Sequence, residues 1–217
     1  MKKTFLFLFI LCGIFTILNG ETLPKIVSTS KTAKGFVPKG YKIAKSNIEN
    51  KDLLIQEDLN KDGQKDLLLV ICKPSKEEME DCKIRTLILA FKEKNSYKLS
   101  LIQNGAILDK DMGGAFGDPF ESIKVERGSI VIRHYGGSRE RWAYTHRFRY
   151  QDSGWYLIGE TKETMDTMSK QSDKIDKNLL TGNVVKEESD IKGKKTKKAY
   201  KEAKKKLRNL KGFKADE

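Results

Sequence analysis

Apolar residues occur along this chain in short runs that polar turns interrupt, which is the pattern of β-strands. In the first half, runs at 53–55 and 67–72 flank one polar turn, and runs at 84–91 and 97–102 flank another at 92–96. Runs of this length between turn-forming residues are typical of strands. Because strands joined by short turns usually pair with each other, the spacing predicts an antiparallel meander.

The second half of the chain repeats this pattern. Strands are predicted at 122–126, 129–135, 141–150, 155–159 and 179–185. A chain of 217 residues is long enough to bury one core of this kind. The complete pattern predicts a mainly β fold, an antiparallel β-meander that is either sandwich-like or an open curved sheet.

The strand predicted at 141–150 alternates between aromatic and polar residues, so its two sides differ in character. One side carries Trp142, Tyr144, His146, Phe148 and Tyr150, and the other carries Thr145, Arg147 and Arg149. The aromatic side is therefore predicted to face the core.

The first 20 residues have the composition of a secretory signal peptide. Lys2 and Lys3 precede an apolar run at 5–18, and Gly20 offers a cleavage point. Two alternatives are lipid attachment at Cys12, where a leucine stands in place of the small residue usually found before such a cysteine, and an uncleaved anchor. The pattern indicates an exported protein, periplasmic or secreted, with no transmembrane span in the mature chain.

Export changes the interpretation of the cysteines, because thiol pairs tend to be oxidised outside the cytoplasm. Cys72 and Cys82 remain once the signal peptide is removed, and they flank a polar segment at 73–81 between two apolar runs. No further Cys or His lies near them in sequence to complete a metal site. We predict a Cys72–Cys82 disulfide, with two free thiols as the alternative.

Composition divides the mature chain into a linker at 21–35, a β-rich domain at 36–185 and a Lys-rich tail at 186–217. The net charge is +13, and the tail contains 13 basic and 6 acidic residues. With few apolar residues, the tail is expected to be solvated, partly disordered and dispensable for folding. A short C-terminal helix is predicted from the helical spacing of Tyr200, Ala203, Leu207 and Leu210.

The positive charge of the tail also indicates which classes of partner the protein could bind. A Lys-rich segment suits an anionic surface, such as a lipid membrane or an acidic polymer of the cell envelope. Nucleic acid is not expected, because export separates the chain from it. The partner is predicted to be an unknown macromolecule of the cell envelope or the exterior.

The most specific motif in the chain is the nine-residue loop 58–66. Oxygen-bearing residues stand at its first, third, fifth and ninth positions, and Gly63 at the sixth permits a sharp turn. Hard cations such as Ca²⁺ require several oxygens that converge in this way. The predicted ligands are Asp58, Asn60, Asp62, the Gln64 backbone carbonyl and Asp66. The alternative is a polar turn in which Asp and Asn cap backbone amides.

This loop, followed at once by the strand Leu67–Val70, resembles the calcium loops of FG-GAP and VCBS-type repeats. A longer pattern that runs through Gly113-Gly114, 117–120, 134–139 and 155–159 resembles exported bacterial proteins that carry a single such loop. The resemblance implies a structural Ca²⁺ ion in a β-hairpin, and it implies no activity.

Two functions fit these observations. The first is an exported, non-catalytic binding or structural module with a structural Ca²⁺ site. The alternative is a secreted or periplasmic hydrolase that uses His134, Glu140 and His146, which could supply acid–base chemistry if they converged in a pocket. Because His146 lies among aromatic residues, a core position is the simpler interpretation of its role.

Overall fold

The computed structural model of the chain describes residues 23–74 and 82–217. The predicted signal peptide and Cys12 lie outside the described residues. The fold is mainly β and its strands pair antiparallel, as predicted. Within the described ranges, no helix has the length and apolar character needed to cross a bilayer.

The first sheet contains six strands from the N-terminal half of the chain. Their order is β1-β6-β5-β4-β2, with β3 also paired to β4. The strands are β1 (Thr29–Ser30), β2 (Lys42–Ile43), β3 (Leu54–Glu57), β4 (Asp66–Cys72), β5 (Arg85–Glu93) and β6 (Ser96–Asn104). A 3-10 helix at Ala33–Phe36 follows β1, and a second at Lys110–Gly113 follows β6.

The second sheet is a seven-stranded meander in strict chain order, from β7 at one edge to β13 at the other. The strands are β7 (Phe120–Glu126), β8 (Ser129–Gly137), β9 (Glu140–Gln151), β10 (Gly154–Asp166), β11 (Ser172–Asn178), β12 (Asn183–Ser189) and β13 (Lys195–Lys201). Each strand joins the next through a short turn, which explains why neighbours in sequence are neighbours in the sheet.

The main core lies between the two sheets. Leu68, Val70 and Leu89 of the first sheet pack in one cluster with Ile132 and Phe148 of the second. Trp155 of β10 also donates a hydrogen bond from Nε1 to Ser100 Oγ of β6 at 2.9 Å, which ties the sheets together. The aromatic side of β9 therefore faces the core at Phe148, as its alternation predicts.

The outer face of the first sheet has a smaller core of its own. Leu67, Leu69 and Ile71 of β4 point to this face and pack with Phe36. Because β4 is covered on both sides, all seven of its residues are buried, which accounts for its unbroken apolar run. The described part of the predicted linker belongs to this layer, since Ile26 and Ala33 pack there and β1 pairs with β6.

The predicted C-terminal helix is wrong. Lys195–Lys201 instead forms the edge strand β13, paired with β12. Tyr200 is 46% exposed, whereas Leu210 is completely buried. The helical spacing of these residues does not reflect a shared apolar face, because Tyr200 lies on a solvated sheet whereas Leu210 packs in the main core.

The expectation of a solvated tail is also wrong for its last residues. Leu210, Phe213 and Ala215 are at most 4% exposed and belong to the main core. Leu210 N–H donates to the Trp155 carbonyl at 2.8 Å, and Ala215 N–H donates to the Gly105 carbonyl at 2.9 Å. The chain end thus contacts both sheets.

Strands β11, β12 and β13 extend the second sheet past the edge of the main core. In β11 no residue is fully buried, and in β13 every residue is exposed. The strand predicted at 179–185 is displaced, because Leu179 and Leu180 lie before the turn and β12 begins at Asn183. This extension presents two solvent-accessible faces of one sheet.

Candidate functional site

The predicted calcium loop 58–66 forms the connection from β3 to β4. Asp58 holds its first turn: Oδ1 accepts a hydrogen bond from Lys61 N–H at 2.6 Å, and Oδ2 accepts one from Gly63 N–H at 3.0 Å. Gly63 has a φ of +84°, a left-handed conformation that favours glycine and accounts for its place in the motif.

The second part of the loop is organised in the same way. Asn60 Oδ1 accepts from Asp62 N–H at 3.0 Å, and Asp62 Oδ1 accepts from Gln64 N–H at 2.8 Å. Asn60 Nδ2 donates to Asp62 Oδ2 at 3.0 Å, so these two side chains are in contact. Side-chain oxygens of residues 58, 60 and 62 therefore lie on one tight turn, where they cap backbone amides.

Asp66 differs from the other predicted ligands because it is completely buried. Its Oδ2 accepts hydrogen bonds from Leu59 N–H at 2.9 Å and Asn60 N–H at 3.3 Å, and its Oδ1 accepts one from Lys92 N–H at 2.8 Å. Burial raises the pKa of this carboxyl, and the three amides oppose that shift. Asp66 thus anchors the base of the loop to β5.

The loop offers the donor types that Ca²⁺ uses, with two carboxylates, one side-chain amide and the Gln64 backbone carbonyl. Asp58, Asn60 and Asp62 reach solvent, so a cation could approach them. In the described ranges, we find no group of three or more His, Cys, Asp or Glu side chains that could hold a metal ion. A Ca²⁺ ion here would rely on Asn60 and the carbonyl beside Asp58 and Asp62.

The predicted disulfide is present. Cys72 at the end of β4 is bonded to Cys82, with their Cα atoms 5.5 Å apart. The cross-link closes the connection between β4 and β5, most of which lies outside the described residues. Such a bond is compatible with an oxidising compartment.

The two histidines of the hydrolase hypothesis are buried in the main core. His134 is 0% exposed and His146 is 2% exposed. The Leu108 N–H donates to His134 Nε2 at 3.1 Å, which requires that nitrogen to be unprotonated. His146 packs edge-on against Phe213, with ring centroids 5.1 Å apart. Both rings therefore serve as packing groups.

Burial is the main reason why both imidazoles stay neutral. It lowers the pKa of His134 to about 3, and nearby His146 and Arg85 add to that effect while Asp118 opposes it. Burial likewise lowers the pKa of His146 to about 4, with help from Arg208, Lys162 and Arg147. Neither group would accept a proton readily near neutral pH.

Glu140, the third residue of the hydrolase hypothesis, lies far from His146. Glu140 is exposed at the first position of β9, six residues before His146. Six residues of strand span roughly 20 Å. The structure therefore does not bring all three residues into a common pocket.

A groove that the sequence did not predict runs across the second sheet. It lies on the face directed away from the first sheet, and we call it the polar trough. Arg133 of β8 and Lys197 of β13 both line it, although these strands are five places apart in the sheet. A flat sheet would separate them by roughly 24 Å, so the sheet curls toward this face.

The register of the strands shows how the polar trough is built. One row of paired residues crosses six strands and consists of Tyr135, Ala143, Glu163, Lys174, Glu187 and Lys197. The floor combines these charged side chains with small ones, and three of the small ones, Ala143, Thr145 and Thr161, are buried. The two parts of the trough have volumes of about 580 and 550 Å³.

Comparisons with known proteins do not place this chain in a family: no family model, curated protein or solved structure matches it.

Proposed function

We propose that this protein is an exported, non-catalytic binding module of the cell envelope or exterior, stabilised by a structural Ca²⁺ ion. The observation that carries the proposal is the extension of the second sheet. Strands β11–β13 bury little apolar surface, yet the curl they complete forms the polar trough. Concave surfaces of this volume are where proteins usually bind ligands.

The absence of a shared pocket for His134, Glu140 and His146 favours this proposal over the hydrolase. The signal-like N-terminus supports export, and the Cys72–Cys82 bond is consistent with it. The Lys-rich strand β13 and the residues around it supply positive charge for an anionic envelope component.

The proposed Ca²⁺ ion would be held by Asp58, Asn60, Asp62 and the Gln64 carbonyl, with Asp66 fixing the loop from beneath. Oxygens of residues 58, 60 and 62 already lie on one turn. A bound cation would offset the repulsion between the two exposed carboxylates. The ion would thereby stiffen the connection between β3 and β4.

Calcium is expected to raise the melting temperature of the mature protein relative to a chelator. If the ion binds the folded state alone, a hundredfold excess over its Kd stabilises the fold by about 2.7 kcal/mol. The response should vanish in Asp62→Ala, which removes a central ligand and leaves Gly63 in place. Thermal melts with chelator and with millimolar calcium measure this effect.

Asp190→Ala is the matched control, because Asp190 also caps its own turn, accepting from Lys192 N–H at 2.8 Å and Lys194 N–H at 2.9 Å. This variant should keep the full calcium response. Identical wild-type melts in both conditions, with no heat in a calorimetric titration, would contradict the calcium proposal and leave the loop as a polar turn.

The binding role is tested by co-sedimentation of the mature protein with cell-envelope fragments from the source organism. Retention should saturate with protein concentration, because a finite number of ligand sites is occupied. A basic protein of matched net charge serves as the control for unspecific attraction. If the mature chain stays in the supernatant, or behaves like the control at every salt concentration, the module does not bind the envelope.

A further inference from the structure

The side walls of the polar trough are both basic. Arg133 is exposed on β8, where its Nε pairs with Glu121 Oε2 at 2.6 Å, and Lys195 and Lys197 are exposed on β13 at the opposite side. The guanidinium of Arg141, which stands opposite Gly137 of β8 in the register, lies 4.6 Å from the centre of the Phe116 ring. The trough can therefore surround an extended ligand with positive charge on two sides.

The Arg141 side chain is held in a fixed orientation. Its Nη1 donates to the Tyr135 hydroxyl at 2.9 Å, and Tyr135 packs edge-on against Phe116 with ring centroids 5.2 Å apart. Met165 lies beside Arg141 in the register and is 39% exposed. This end of the trough thus combines a cation with apolar surface, which suits a ligand that has both charge and apolar faces.

The centre of the trough alternates in charge. Lys174 pairs with Glu163 at 3.4 Å, and Lys197 pairs with Glu187 at 2.7 Å. Arg147 pairs with Asp176 at 3.4 Å and donates to Thr161 Oγ1 at 3.0 Å. Carboxylate oxygens with remaining lone pairs are therefore available on the floor as acceptors for hydroxyl groups.

The excess of positive charge in the trough is modest. Among the lining residues whose side chains point to this face, seven are basic and four are acidic. A ligand with dense negative charge would be repelled by Glu163 and Glu187 in one row of paired residues and by Asp176 in another. A ligand whose anionic groups are separated by hydroxyl groups matches the alternation of basic and acidic side chains better.

We propose that the polar trough binds a linear acidic polysaccharide, whose anionic groups are separated by hydroxyl-bearing sugar rings. The inference rests on the proposed binding function and specifies its ligand. The anionic groups contact Arg133, Arg141 and the lysines of β13. The hydroxyl groups donate to Glu163 and Glu187, and apolar faces of the sugar rings pack on Tyr135 and Met165.

Two other anionic partners fit the trough less well. Double-stranded DNA carries one charge per roughly 1.7 Å of its axis, a density that the four acidic residues of the lining would oppose. A membrane surface is broad and flat, so it would contact the rims of a concave trough and leave its floor unused. An extended chain can reach both walls and floor.

The test uses the mature protein with hyaluronate oligosaccharides, in which every second sugar carries a carboxylate. Isothermal titration calorimetry gives the Kd. Lys195→Gln/Lys197→Gln removes two charges from one wall, and Arg133→Gln removes one from the other. The matched control is Lys192→Gln/Lys198→Gln, since Lys198 pairs in register with Lys186 on the opposite face and Lys192 lies in the preceding turn.

Binding should weaken roughly fivefold in the double variant of the trough and roughly threefold in Arg133→Gln, as expected for exposed charge contacts. The control variant should bind within about twofold of the wild type, which is the expected range for removal of charges outside the site. Neutral dextran should bind much more weakly than hyaluronate. Circular dichroism confirms that each variant is folded, so a loss of binding reports on the site.

Four results would overturn the inference. Equal weakening in the trough and control variants shows unspecific attraction. Tighter, trough-dependent binding of single-stranded DNA identifies a nucleic-acid site, and binding confined to phosphatidylglycerol vesicles identifies a membrane surface. No binding of any probe also overturns it. If the protein still co-sediments with envelope fragments in such a case, only the ligand assignment fails and the binding function stands.

Discussion

Deletion of residues 209–217 is expected to unfold the protein or to lower its stability by more than about 5 kcal/mol. The deletion removes Leu210 and Phe213, which are 0% and 4% exposed in the core between the sheets. Replacement of a buried Phe by Ala alone costs about 3–5 kcal/mol. Chemical denaturation of the truncated protein measures the loss.

The deletion also breaks polar links between β6 and the C-terminal residues. Gln103 of β6 donates from Nε2 to the Phe213 carbonyl at 2.9 Å and accepts from Gly212 N–H at 2.8 Å. The truncation leaves Gln103, which is 7% exposed, without these partners.

Two point variants test whether the loss of stability comes from the buried side chains rather than from the shorter chain. Phe213→Ala should reproduce much of the loss, whereas Tyr200→Ala should change stability by no more than about 0.5 kcal/mol, since Tyr200 is half-exposed on β13. A truncated protein with a wild-type unfolding midpoint would show that the chain end does not stabilise the core.

Acid is expected to destabilise the fold well above the pH at which carboxylates titrate. The pKa values of His134 and His146 are lowered to about 3 and about 4 from 6.5. Below pH 6.5 the unfolded chain therefore binds protons that the folded chain does not, so stability falls as the pH falls. Two such groups should cost about 4 kcal/mol between pH 6.5 and 4.5.

Asp166 and Asp66 do not account for this window. Asp166 has a pKa lowered to about 2 from 3.8, so its contribution is lost below pH 4. Burial raises the pKa of Asp66, which gives the opposite sign: its contribution to stability is greatest in acid and declines as the pH rises through its folded pKa.

His134→Gln and His146→Phe provide the test. Gln retains an acceptor for the Leu108 N–H, and Phe matches the aromatic surroundings of His146. Each variant should remove about half of the change in unfolding free energy between pH 6.5 and 4.5. An unchanged slope in the double variant would show that the histidines are not neutral in the folded state.

The sequence alone predicts the parts of this fold in which apolar and polar positions differ clearly along the chain. The strands that face the core were predictable because buried positions are apolar and alternate or run together, as in β4 and β9. The Cys72–Cys82 bond was predictable because both cysteines flank a short connection. His146 was correctly expected to lie in the core, since its neighbours on that side are aromatic. The Ca²⁺ loop could be recognised as a tight turn, and its occupation remains a prediction.

The remainder needed the tertiary structure. Ser172–Asn178 and Lys195–Lys201 carry no apolar alternation, because neither side of these strands faces the core and backbone hydrogen bonds to neighbouring strands hold them. The docking of Phe213 depends on a space between two sheets that are distant in sequence. The polar trough arises from the curl that brings β8 and β13 around one groove. Curvature of a sheet follows from twist and packing between strands, which a linear pattern of polar residues does not encode.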